Sequence, residues 1–114
     1  MNTRKAVSAL AALAHEARLS VYRLLVEAGP EGLPAGVIAG KLKIPPSSLT
    51  FHLQNLQRAG LITQERVSRQ LIYAADFRTM NALVDFLTEN CCRGSQSCSS
   101  SQPRPAAQKL RKAS

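Results

Sequence analysis

Cys91, Cys92 and Cys98 are the only cysteines in the chain, and all three fall in the stretch CCRGSQSC. Thiolates are soft donors and select soft ions. Cys91 and Cys92 are neighbours. The link to Cys98 contains Gly94 and two serines, so closing it adds little entropy and three sulfurs can converge. Trivalent arsenic or antimony keeps a lone pair and takes three sulfurs in a pyramid, with no fourth ligand needed. Structural zinc wants a tetrahedron of four. His15 and His52 belong to other segments, so zinc would have to recruit Glu89, water or a second subunit. The same spacing lets Cys98 pair with Cys91 or Cys92 in a thiol redox switch. Inert core cysteines are a poor fit to a segment so rich in Ser and Gly. Arg93 favours the thiolate of a neighbouring cysteine, whereas the negative end of a preceding helix opposes it. No base stands beside these thiols, and the chain has no phosphate-cradling loop and no paired carboxylates. A catalytic cysteine, and an enzyme more generally, is therefore not expected.

The 114 residues suit one domain, with a modest core that dimerisation would enlarge. The net charge of +8 suggests a polyanionic partner. Residues 1–90 carry ten Lys and Arg against seven Asp and Glu, while residues 91–114 carry five and none. The body keeps a local excess: Lys41, Lys43, Arg58, Arg66 and Arg69 face only Glu65 between positions 41 and 73. No apolar run approaches the ~20 residues of a membrane helix. Arg4-Lys5 before AVSALAALA superficially resembles a secretory signal, but the run continues directly into an amphipathic helix. An odd cysteine number also fits poorly with a disulfide-stapled secreted domain. A cytoplasmic protein with reduced thiols is expected.

The elements that must position these groups follow from periodicity. Residues 4–14 are Ala/Leu-rich helix formers. Residues 16–28 place Leu19, Tyr22, Leu25 and Val26 on one helical stripe, and Gly29-Pro30 ends it. Residues 34–42 read as a short helix with Pro34 in its first turn and Val37, Ile38 and Leu42 inward. Pro45-Pro46 separates this from a second helix, with Pro46 at its first position, Leu49, Leu53 and Leu56 inward, and Gly60 as its stop. Leu61–Thr63 and Leu71–Tyr73 read as two short strands of a hairpin. Residues 76–91 return to helix with Met80, Leu83, Val84 and Leu87 as the stripe, ending near Asn90 or Cys91. The boundaries expected are a folded unit at 1–92 and a flexible basic tail at 93–114 carrying the third thiol.

Short helix, tight turn, second helix and hairpin is the order of a winged helix-turn-helix, mainly α with a small β-hairpin (an α+β class). The second helix leaves Ser47, Ser48, Thr50, Phe51 and Asn55 off its leucine stripe. Small hydroxyl residues early in such a helix suit base edges in a major groove or phosphates. His52 borders the leucine stripe and reads either as a DNA contact or as a partly buried residue. Arg66 and Arg69 lie near the hairpin tip, where a wing touches backbone or minor groove. Few aromatic residues are present, which argues against single-strand stacking. A protein-interaction module with a metal-buffering tail is the reading from a different class.

LAHEARLSVYRLL, SSLTFHLQNLQRAGLI and ERVSRQLIY resemble successive blocks of the ArsR/SmtB family of metal-sensing repressors. Leu13, Arg18, Leu19 and Leu24-Leu25 carry the first block; Leu53, Leu56, Ala59, Gly60 and Leu61 the second; Arg66, Arg69 and Tyr73 the wing. The resemblance spans residues 7–90. It implies a winged helix-turn-helix, a homodimer formed through the first and last helices, and release from double-stranded operator DNA when an inducer binds. It also implies departures. Pro45-Pro46 stands where the family often has Ser-Gln, Phe51 where a polar or basic residue is common, and Ser68 where a wing-tip glycine is usual. The sensor cysteines of many arsenic-responsive members fall at Pro34 and Gly36 here, so that site is absent. Cys91, Cys92 and Cys98 supply its replacement, with As(III) or Sb(III) as inducer. A thiol-redox repressor on the same fold is the alternative.

Overall fold

The computed structural model describes residues 1–91, so Cys92, Cys98 and the expected tail at 93–114 lie outside the described residues. Helices α1 (Thr3–Leu13) and α2 (Glu16–Ala28) are followed by strand β1 (Leu33–Pro34). Helices α3 (Ala35–Leu42) and α4 (Pro46–Arg58) then precede the hairpin β2 (Ile62–Val67) and β3 (Gln70–Ala75), and α5 (Phe77–Leu87) closes the order. The sheet is antiparallel in the order β1-β3-β2. This is a winged helix-turn-helix.

One core joins every layer. Val21, Tyr22 and Leu25 of α2, Ile38 of α3 and Leu49, Leu53 and Leu56 of α4 are buried together with Leu61, Ile62, Tyr73 and Leu83. Ala6, Ala9 and Ala12 bring α1 close, because an alanine face admits tight helix approach. Two stops are chemically explicit. At the end of α4, Gly60 adopts φ 81°; its N–H donates to the Gln57 carbonyl at 3.0 Å, and the Leu61 N–H donates to the Leu56 carbonyl at 3.0 Å. That double return satisfies the last carbonyls of the helix. At the start of α5, the Asp76 carboxylate accepts from the amides of Arg78 and Thr79, the usual device for first-turn N–H groups.

Several expectations need correction. Leu19 and Val37 are exposed, and Val21 takes the inward place on α2. A strip of residues three and four apart does not say which side of the strip meets a neighbour. Leu33-Pro34 is a strand rather than the head of α3: Leu33 pairs with Tyr73 and Pro34 with Ile72. Proline tolerates this edge because it needs no amide partner. The hairpin strands run longer than the apolar clusters, because the polar residues Gln64–Arg66 are held by the ladder to β3 and not by burial. Ser68 turns the chain with φ 57°, and it alone of the two turn residues is positive, as at the first position of a type II′ turn. Helix α5 stops at Leu87 instead of near residue 90. The Thr88 hydroxyl donates back to the Val84 carbonyl at 2.9 Å, and Asn90 is left-handed at φ 60°.

Gly32 ties β1 to the wing. Its φ is 72°, and a Cβ built there would collide with the Tyr73 carbonyl oxygen. Gly32→Ala is expected to lower unfolding stability by about 2 kcal/mol or more, measured by urea titration. Gly36→Ala, which meets open space, serves as the neutral comparison.

Candidate nucleic-acid interface

Helix α4 projects from the core because one side of it is spent on packing. Leu49, His52, Leu53 and Leu56 face inward; Ser47, Ser48, Thr50, Phe51, Gln54, Gln57 and Arg58 are exposed. Three residues separate α3 from α4, and Lys43 reverses the chain among them with φ 56°. Pro45 extends into the cap position with no side-chain hydrogen bond, and Pro46 fills the first helical place. The first-turn amides of Ser47 and Ser48 have no acceptor one turn back in the helix. With Pro45 supplying no cap, they remain available to an anion.

The expected contact residues divide into three groups. Ser47, Ser48 and Phe51 stand exposed on α4, Phe51 at 58%. Thr50 is also exposed, but its hydroxyl donates to the Pro46 carbonyl at 3.0 Å, so toward a ligand it offers an acceptor. Asn55 is half-buried and tied to its own helix: its amide nitrogen donates to the Phe51 carbonyl at 2.9 Å, and its oxygen accepts weakly from Arg58 at 3.4 Å. Arg66 and Arg69 are exposed on the wing, Arg66 opposite Leu71 in the ladder and Arg69 in the turn.

His52 is turned inward. It is 9% exposed, and its ring stands 4.8 Å from that of His15. His15 in turn accepts the Ala17 N–H at 3.1 Å and so caps α2. This pair joins the head of α2 to the middle of α4 and removes His52 from the exposed face. Arg18 lies beside it, with its guanidinium carbon 6.0 Å from the Phe51 ring centroid. Gln54 was missed by the sequence reading. It falls on the line of Ser47, Phe51 and Arg58, and that spacing was the available signal. Glutamine also has the paired donor and acceptor that match adenine in a major groove.

Cys91 is half-buried just past α5, and its N–H donates to the Thr88 carbonyl at 3.0 Å. Cys92 and Cys98 lie outside the described residues. Among the described residues, no group of three or more His, Cys, Asp or Glu is placed to hold a metal ion. Likewise, no helix among them is long and apolar enough to cross a membrane.

Comparison with known proteins adds the lineage. A helix-turn-helix domain family matches residues 13–65. The HTH-type transcriptional regulator YbzH of Bacillus subtilis is 34% identical over 88 residues, covering 67% of this chain and 88% of YbzH. The transcriptional activator HlyU of Vibrio cholerae is 28% identical over 95 residues, covering 83% of this chain and 85% of HlyU. A structure described as reduced HlyU from that organism superposes with a TM-score of 0.63 at 28% identity, over 81% of this chain and 94% of that one. An ArsR-like transcriptional regulator from Rhodococcus superposes with a TM-score of 0.65 at 28% identity, over 74% and 76% of the two chains.

Burial first, and then the neighbouring His15 and Arg18, hold the His52 imidazole below the usual histidine range. The unfolded chain takes up a proton at a pH where the folded chain resists it. Stability should therefore be level above the ordinary histidine range and fall as pH drops through it. Thermal unfolding followed from about pH 7.5 to pH 5.5 should show the midpoint falling, with a flatter profile for His52→Gln. Equal slopes for the two proteins would mean that His52 does not carry the effect.

Proposed function

The chain belongs to the ArsR/SmtB family of winged helix-turn-helix transcriptional regulators, and from that premise we propose that it is a homodimeric repressor released from operator DNA by a trivalent metalloid. The observation that carries the DNA half is the exposed first turn of α4. It presents two uncapped amides, the hydroxyls of Ser47 and Ser48, and Gln54 along the same side. Helix dipole and free N–H groups favour a phosphate there, while the side chains reach base edges. Arg66 and Arg69 add backbone contacts from the wing. His52 supports the interface from behind, by packing.

The dimer half rests on exposed apolar residues. Val7 and Leu10 on α1, and Val84 and Leu87 on α5, are each 40% exposed or more. Their spacing of three places each pair on one side of its helix. Pairing two chains through these faces buries what one chain leaves wet. Two recognition helices then read half-sites about 34 Å apart.

The sensor half rests on the thiols. Cys91 lies a few residues past the end of α5 at Leu87, so an ion drawing Cys91, Cys92 and Cys98 together would pull on the chain that leaves a dimer helix. As(III) or Sb(III) suits three sulfurs. A coupling of about 1–3 kcal/mol would change DNA affinity roughly 5–150-fold. A thiol-redox switch at the same residues is the second reading, favoured by the Vibrio relative having been described in a reduced form.

DNA selected from a random library gives the operator for the tests. Arg66→Ala and Arg69→Ala should each weaken binding across sequences and lower the slope of log affinity against log salt by about 1. No change in slope would remove the wing from the backbone.

Replacing Cys91, Cys92 and Cys98 by serine should leave DNA affinity intact and abolish release by arsenite. Under excess non-thiol reductant, arsenite should still release the unsubstituted protein and peroxide should not. Release that follows disulfide formation, with arsenite inert under reductant, would transfer the assignment to redox sensing.

A further inference from the structure

Three cations from three helices meet at a cleft beside the C-terminal end of α4. The cleft has a volume of about 550 Å³ and is walled by Lys5 and Ser8 of α1, Arg58 of α4, and Arg78 and Thr79 of α5, together with Asp76. That size is usual for a small-molecule site. Asp76 is the one carboxylate in the wall, and it is already engaged by the Arg78 and Thr79 amides at 3.1 and 3.3 Å. Among the described residues, Lys5, Arg58 and Arg78 form no ion pair. Residues 92–114 contain no Asp or Glu to supply one. A smaller cleft of about 220 Å³ adjoins it through Ser8 and Arg58 and adds Arg18, whose buried Nε has no acceptor.

We propose that this cleft binds a small polyvalent anion of the polycarboxylate or phosphate class, which bridges α4 to α1 and α5 and so adjusts DNA affinity. Guanidinium groups offer paired donors to a carboxylate or phosphate, and Ser8 and Thr79 add hydroxyls. Two features set the cleft apart from the DNA surface. Arg58 is eleven residues beyond Ser47, about 16 Å along the helix, whereas recognition helices approach bases with their first turns. The cleft also stays open in the dimer proposed above. Lys5 is about 160° and about 140° around α1 from Val7 and Leu10, and Arg78 is about 120° and about 180° around α5 from Val84 and Leu87.

The anion binding stands by itself; its coupling to DNA rests on the proposed function. Calorimetric titration of the full chain with citrate, and separately with inorganic pyrophosphate, at constant ionic strength tests the first. One saturable site per chain is expected for at least one probe, and which probe binds tells carboxylate from phosphate. The double variant Lys5→Gln/Arg78→Gln should weaken binding at least tenfold while keeping its thermal midpoint. Arg23→Gln/Lys41→Gln, which removes the same charge elsewhere, should not. Failure of both probes to saturate, or equal weakening by the two double variants, overturns the site. If Lys5→Gln/Arg78→Gln instead weakens DNA binding with no anion present and neither probe binds, the cleft is a backbone contact and the proposal fails. DNA affinity should shift with the saturating probe in the unsubstituted chain and not in that variant; an unmoved affinity overturns the coupling. Absence of any selected DNA sequence would sink the proposed function, with the calorimetry still deciding the cleft.

Discussion

The seating of α4 governs the rest of the molecule. Leu49, Leu53 and Leu56 share one core with Val21, Leu25 and Ile38, and that shared core sets which side of α4 looks outward. A core leucine cut to alanine typically costs 2–5 kcal/mol, in a domain whose whole margin is about 5–15. Helix α4 therefore has no alternative rotation of comparable energy. Ser47, Phe51, Gln54 and Arg58 are presented because Leu49, His52, Leu53 and Leu56, one or two places from them and so on the other side of the helix, are buried. The His15–His52 pair extends the same constraint sideways, joining the cap of α2 to α4 across 4.8 Å.

The start of α4 trades stability for availability. A serine or aspartate at position 45 would close the first turn with a side-chain bond worth ~1 kcal/mol. Pro45 makes no such bond. Pro46 recovers part of the difference through its fixed backbone angle, and the amides after it remain open to an anion. Helix α5 shows the opposite choice. Asp76 accepts from two amides of its first turn, those of Arg78 and Thr79. One helix start is thus prepared for an external anion and the other is internally neutralised.

Between these ends the molecule keeps apolar surface exposed. Val7, Leu10, Val84 and Leu87 cannot be explained by the monomer core, which is already filled on the α1 side by alanines. In the proposed regulator this surface is where DNA reading and thiol chemistry meet, because α5 carries both the apolar face and the chain leading to Cys91. The charges on the far side of α1 and α5 give a second place where the same two helices and α4 come together.

Much of this was legible in the residues alone. The bounds of α2 and α4 follow from Gly29-Pro30 and Pro45-Pro46, since proline and glycine act locally and need no tertiary partner. The leucine stripe of α4 was equally plain, because 3.6-residue periodicity is a property of one helix. Serines on α4 and arginines on the wing could be named as candidate contacts for the same reason. Tertiary contact decided what depends on two segments at once. Leu33-Pro34 became a strand only because β3 lay beside it, and the wing strands outran their apolar residues because a ladder, not burial, holds them. Leu19 and Val21 exchanged roles because burial is decided by what a side chain faces. His52 went inward because His15, thirty-seven residues earlier, was there to meet it. Asn55 was drawn onto its own helix, and Gln54 was left free at the centre of the exposed side. Local chemistry wrote the helices and their candidate contacts; packing between distant residues chose which of those contacts face outward.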